Sequence, residues 1–275
     1  VVEVAPGILW LRMPMPMQLD HINIYLLRDG DNGGDGWIIV DTGLNTPACK
    51  ALWEEVVATR LDGLPLKGLV CTHFHYDHAG LARWLTDRYA IPLWMTHGEF
   101  YTMRALGERL PEPPPEGLVL FHQRAGMPEA RIAHMLAGLR KDPFMPPQPE
   151  SFRRLRAGDR LSIGGRSWQI IVGEGHSPEH ACLYCAEDAI LIAGDQLLPR
   201  ITSNVLVSSM EPEGNPLQLW LDSLERLDRL SPDTLVLPSH ERVFRGLRPR
   251  VAELQAHHQH QFDLLLAALA GGVRL

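Results

Sequence analysis

The sequence predicts a layered α/β fold, and three observations carry that prediction. Short apolar runs of strand length alternate with segments of helical periodicity. The strand-like runs fall into two series, one before residue 97 and one from residue 151 onward, each followed by helical segments. The two halves match in outline, as a sandwich with two sheets inside and helices outside requires.

In the first half, residues 4–13, 22–28 and 37–40 read as a β-meander with a strong turn signal at 29–36. Thr46-Pro47 opens a helix running to about Arg60, with Pro where its missing N–H costs nothing. A buried strand is expected at 66–71, a helix at 78–89 and a strand at 91–95. Residues 97–150 differ in texture. Pro-rich stretches at 111–115 and 143–149 bracket a helix near 128–139, which reads as an insertion over the core.

In the second half, strands are expected at 151–155, 160–163, 167–172, 182–185 and 189–193. Asn215-Pro216 caps a helix whose Leu217, Trp220, Leu221, Leu224 and Leu227 fall at helical spacing. A strand at 234–237 precedes a final helix at about 248–270. Its stripe of Val251, Leu254, His258, Phe262, Leu265 and Leu269 is expected to face the core. Residues 1–275 are thus read as one domain with an insertion and a C-terminal helix.

Composition narrows the function classes. Of the 275 residues, 45% are hydrophobic and 21% charged, as expected for a globular protein that buries its own core. The net charge of −7 argues against a nucleic-acid partner. One segment departs from this balance: residues 124–166 hold 9 Lys/Arg against 4 Asp/Glu. It reads as a solvated face or as a dock for an anionic small-molecule substrate. No apolar run reaches the roughly 20 residues of a membrane helix, and Val1-Val2-Glu3 lacks the basic start of a signal peptide. Cytoplasm is the expected location. Four cysteines form no disulfide framework. Cys182 and Cys185 make a lone CxxC in a strand, where alternation sends them to opposite faces.

The chemistry sits in Thr72-His73-Phe74-His75-Tyr76-Asp77-His78. His73 and His75 at i, i+2 face one way in extended chain. Asp77 and His78 follow at a helix entry, so four ligand-type side chains converge at a strand's carboxyl end. His176, Asp195 and His240 each follow a later strand. Seven such groups are too many for one ion and right for two. Imidazole with carboxylate suits zinc, with iron or manganese also compatible.

HxHxDH, then Gly175-His176-Ser177, then Gly194-Asp195, then a late His240 resembles the pattern of the metallo-β-lactamase superfamily, from about 70 to 240. Asp41-Thr42-Gly43 looks like that family's earlier DTG element. The resemblance implies an αββα four-layer sandwich with two divalent ions. One would take His73, His75 and His176, the other Asp77, His78 and His240, with Asp195 bridging and Asp41 orienting an imidazole. Gly173-Glu174-Gly175-His176 stands where the family usually has TPGH, and Glu179 stands where GHxxGH has its second Gly. Neither departure removes a ligand.

The implied reaction is hydrolysis of an ester-like bond, with Asp77 orienting or accepting the water's proton. A thioester is the first expectation, resembling the glyoxalase II branch, with the basic segment holding glutathione or coenzyme A. A lactone comes next and a phosphodiester or RNA third. A di-iron redox or sensor protein is the alternative of a different class. His180 is expected to pack and hydrogen-bond beside the site, and His258 to be a satisfied core histidine. Tyr76 and Tyr101 are read as packing residues or as hydroxyl donors to substrate.

Overall fold

The computed structural model describes residues 1–30 and 34–271. Residues 31–33, the centre of the expected turn, lie outside the described residues. The first sheet holds β1 (Val2–Ala5), β2 (Ile8–Pro14), β3 (His21–Asp29), β4 (Gly36–Val40), β5 (Leu66–Val70), β6 (Leu93–Thr96) and β7 (Arg153–Leu155), in that spatial order. β1 to β4 are antiparallel, and β4 to β7 parallel. The expected run 4–13 is therefore two strands, because Pro6-Gly7 turns the chain and Gly7 takes φ 71°.

The second sheet holds β8 (Arg160–Ile163), β9 (Arg166–Gly173), β10 (His180–Cys185), β11 (Ile190–Gly194) and β12 (Leu235–Pro238). It is antiparallel except for the parallel pair β11 and β12. Alternating residues of both sheets meet in one inner core, where Tyr25, Leu27, Ile38 and Val70 pack with Trp168, Ile170, Leu183 and Ile192.

The outer faces are covered by helices. On the first sheet lie α1 (Pro47–Thr59), α2 (Tyr76–Ala79), α3 (Ala82–Tyr89) and α4 (His97–Leu106), which bury Trp53, Leu85 and Phe100 against it. Thr46 Oγ1 accepts from the Cys49 N–H and caps α1, with Pro47 just inside. On the second sheet lie α7 (Pro216–Asp228) and α8 (Leu247–Ala270), the former capped by Asn215. The four layers form the αββα sandwich expected. α5 (Glu116–Arg124) and α6 (Glu129–Lys141) lie between α4 and β7, and α5 buries no residue. Among the described residues no helix is long and apolar enough to cross a membrane.

Three expectations need correction. The helix expected at 78–89 breaks after Ala79. Thr42 Oγ1 accepts from the Leu81 N–H and lies 2.9 Å from His78 O, so it takes the place of the helical ladder at that turn. The stripe of α8 is buried only at Val251 and Leu254, while Phe262, Leu265 and Leu269 are exposed. A helix of 24 residues is about 36 Å long and outruns its 13-residue neighbour α7, about 20 Å. His258 is half-buried with its ring against Trp220, and its buried Nε2 has no hydrogen-bond partner.

Candidate metal centre

The seven residues singled out by type and spacing come together at one rim of the sandwich. β5 ends at Val70, and the next turns place His73, His75, Asp77 and His78. His176 follows β9, Asp195 follows β11 and His240 follows β12. His73, His75, His176 and Asp195 form one group and Asp77, His78 and His240 another, each with its donor atoms within 4.8 Å of one another. Asp195 lies between them: Oδ2 is 3.4 Å from His176 Nε2, and Oδ1 is 3.3 Å from His240 Nε2 and 3.6 Å from His78 Nε2.

The first loop is braced by side chains. Asp41, at the end of β4 in the left-handed region (φ 67°), accepts from the Thr72 N–H at 2.8 Å and from His78 Nδ1–H at 2.9 Å. The Thr72 hydroxyl meets both Asp41 oxygens and His73 Nδ1. A non-glycine residue held at positive φ is strained, and here the strain sets a carboxylate behind His78.

In the later loops the His176 and His240 rings are oriented by main-chain carbonyls. His176 Nδ1 donates to Asn204 O at 2.7 Å, and His240 Nδ1 donates to His21 O at 2.9 Å. The Pro238 carbonyl accepts from Asn23 Nδ2 and from the Tyr25 hydroxyl, each at 2.8 Å, so β3 of the first sheet holds the His240 loop of the second. Two glycines permit close approach. A Cβ on Gly175 (φ 91°) would meet Pro216 O at 2.1 Å, and one on Gly194 (φ 54°) would meet the His180 ring at 2.4 Å. His180 is fully buried, stacks on His73 at 4.8 Å, and accepts from the Asp195 N–H at 3.1 Å. It packs and hydrogen-bonds beside the site, as expected from the sequence.

Glu99, on the first turn of α4, carries a role the sequence did not disclose. It is completely buried. Oε2 accepts from the Phe74 N–H at 2.9 Å, and Oε1 accepts from Ser177 Oγ at 2.6 Å and the Glu179 N–H at 2.7 Å. One carboxylate thereby clips the His73–His75 loop to the loop after His176. In return Glu179 Oε2 accepts from the Gly98 N–H at 2.7 Å. Burial pushes the Glu99 carboxyl up to about 7, against the pull of its donors.

Electrostatically the two groups differ. Burial, followed by neighbouring imidazoles, holds His73 well below the usual histidine range, and burial and His176 take His75 down to about 3. Burial opposes charge on His78 too, but Asp77, Asp195 and Asp41 raise it well above the ordinary value.

The donor set fits two cations on internal grounds. His73 Nε2 lies 2.8 Å from His75 Nδ1 and 3.1 Å from His176 Nε2, and His176 has already spent its Nδ1–H on Asn204. Three ring nitrogens therefore converge with too few protons to share. His78 Nε2 and Asp195 Oδ1 are buried with no hydrogen-bond partner, although buried polar atoms rarely go unpaired. A cation in each group would satisfy them, with nitrogen and oxygen donors of the kind zinc, iron and manganese accept. No cysteine takes part: Cys182 packs under α7 and α8, while Cys185 lies between the sheets, on opposite faces as strand alternation required.

The family model of the metallo-beta-lactamase superfamily matches residues 17–240. The chain belongs to the metallo-beta-lactamase superfamily. A beta-lactamase domain protein from Burkholderia ambifaria has a similar crystal structure, with a TM-score of 0.88 and 43% identity over 97% of this chain and 76% of that one. The "Probable metallo-hydrolase YqjP" of Bacillus subtilis (strain 168) is 26% identical over 245 residues, 84% of this chain and 70% of its own length. A hydroxyacylglutathione hydrolase of Fuscovulum blasticum is 32% identical over 94 residues, about a third of either chain. Within the superfamily this chain is a metal-dependent hydrolase, and its two His/Asp groups fit a dinuclear site.

Proposed function

We propose that the protein hydrolyses a thioester at a dinuclear centre in which His73, His75 and His176 hold one ion, Asp77, His78 and His240 the other, and Asp195 both. The observation that carries the reading is the position of Asp195, with one oxygen toward each group. Two divalent ions there would polarise the acyl carbonyl and bring the pKa of a water down toward about 7. Asp77 orients that water and takes its proton. Its Oδ2 lies 3.5 Å from His78 Nε2 and 3.7 Å from His240 Nε2, at the mouth of the second group. Water adds to the carbonyl carbon, the C–S bond breaks, and the products are a carboxylic acid and a thiol that leaves with the proton. Asp41, His180 and Glu99 touch no reacting atom and keep the loops in register.

Thioester cleavage is supported by the partial likeness to a hydroxyacylglutathione hydrolase. Among the described residues, no Lys or Arg lines the cavity of about 400 Å³ that opens on His75 and His176. That counts against a phosphodiester, whose binding rests on phosphate neutralisation. The basic segment does not line this cavity either. Its Arg140 pairs with Glu112, Arg166 with Asp188, and Arg153 lies over Trp94.

The test is turnover of glutathione, coenzyme A and N-acetylcysteamine thioesters by zinc-loaded protein, with Asp195→Asn as control. Release of free thiol that the control lacks is the expected result. No release from any of them, with two ions bound by metal analysis, overturns the thioester reading and brings lactones forward.

A further inference from the structure

The wall of the cavity beside His75 and His176 has a composition of its own. Between β11 and α7 the chain runs from Ile201 to Gly214 without a regular helix or strand. Irregular stretches of this length in a compact fold tend to be functional. This one presents Leu206, Val207 and Met210 to the cavity, joined by Leu219, Phe74 and Pro178. Leu206 is 69% exposed, Met210 57% and Val207 44%. Apolar side chains this open, gathered on one concave surface, mark a binding site more often than a solvent face.

The same loop is fastened to the candidate ligands. Asn204 O accepts from His176 Nδ1–H, and the Ser203 hydroxyl donates to Asp195 O. The apolar wall is therefore held at a fixed distance from the reacting centre. Among the described residues, the charged ones lining the cavity are Glu174 and Glu211, apart from any charge on His75 and His176. Among the described residues no lining cation faces them, although Arg226 stands 3.4 Å from Glu174 outside the lining. A group carrying a negative charge at its far end would meet two carboxylates and no cation among the described lining residues.

From this geometry we infer that the cavity selects an uncharged aliphatic acyl group and rejects one ending in a carboxylate, with residues 201–214 as the specificity loop. The inference rests on the thioesterase reading for the bond that is cut, but not for what the cavity binds. The acyl carbonyl lies at the His/Asp groups and the chain runs along Leu206, Val207 and Met210. A volume of about 400 Å³ is in the range of small-molecule pockets.

The experiment compares N-acetylcysteamine thioesters, which share one neutral leaving group, from acetyl to octanoyl, with adipoyl as the charged counterpart of hexanoyl. The expected kcat/KM rises by up to about fourfold for each buried methylene, and adipoyl falls at least about tenfold below hexanoyl. Leu206→Arg is expected to lower octanoyl turnover and raise adipoyl relative to hexanoyl. Arg131→Ala, in the basic segment, leaves the profile as it was. A flat chain-length profile, or adipoyl equal to hexanoyl, overturns the inference. A second readout separates the two claims: the ¹³C-methyl signal of Met210, assigned with Met210→Leu, under titration with neutral N-butyl- and N-octylacetamide. A shift that saturates at lower octyl than butyl concentration, with no thioester turned over, sinks the reaction and keeps the pocket. No shift with the octyl compound sinks the pocket.

Discussion

The two halves of the sandwich supply the metal-type residues in different ways. The first half places His73, His75, Asp77 and His78 on one loop and braces it with side chains, Asp41, Thr72 and Glu99. The second half spreads His176, Asp195 and His240 over three loops. Two of the three rings or carboxylates are oriented by main-chain carbonyls, His176 by that of Asn204 and His240 by that of His21 in the first half. A brace made of side chains can be removed by substitution, whereas a carbonyl brace survives most changes at its own residue. The orientation of His78 should therefore be sensitive to substitution at Asp41, and that of His176 resistant to substitution at Asn204.

The largest effect is expected at Asp41. Asp41→Asn keeps the size but loses the charge that orients His78, and metal affinity and turnover should fall roughly 10- to 100-fold. Equilibrium dialysis against zinc measures this, and an unchanged affinity would break the comparison on its first side.

Glu99→Gln should act mainly on stability. The amide nitrogen replaces one acceptor, so either the Phe74 N–H or the Ser177 and Glu179 donors lose their partner, at a cost of about 1–3 kcal/mol. Glu99 also gives a pH signature. Its folded pKa of about 7 lies above the ordinary glutamate value. The stability it contributes is therefore complete in acid and is lost as pH rises through about 7. The gap in Tm between the wild type and Glu99→Gln, a few degrees at pH 5, should narrow by pH 8. A gap that widens with pH contradicts the assigned burial of the carboxyl.

Asn204→Ala should have the smallest effect. Only the carbonyl of Asn204 holds His176, so stability should change by less than about 0.5 kcal/mol and zinc affinity should not move. A tenfold loss of zinc would show that His176 depends on the Asn204 side chain as well as its carbonyl.

The same contrast explains what could be read from the sequence. The first loop is a contiguous motif after a buried strand, so its residue types and spacing were visible directly. His176, Asp195 and His240 were visible only because each follows a strand, and only the fold brings their loops to one rim. Glu99 was hidden because an acid on the first turn of a helix has an ordinary reason to be there. Its use depends on α4 lying beside both loops, which no local pattern encodes. Thr42 hid in the same way, since its hydroxyl ends a helix whose periodicity continued past the break. The outer half of α8 misled in the other direction. Helical spacing shows which residues share a stripe, but not how far along the helix a partner extends. Between α4 and β7, α5 buries nothing and so has no apolar period to detect.

The tie between β3 and the His240 loop also bears on how the chain is made. His78 and His240 are 162 residues apart in sequence, and the second group closes only when the later loop docks on His21, Asn23 and Tyr25. At about 5–20 residues per second, synthesis leaves the first four donors without that partner for on the order of ten seconds. If these residues hold ions as proposed, the newborn chain carries for that interval a short chelating peptide open to any divalent ion at hand. Discrimination among ions by the finished geometry would then begin only after residue 240 has left the ribosome and found the strand made more than two hundred residues earlier.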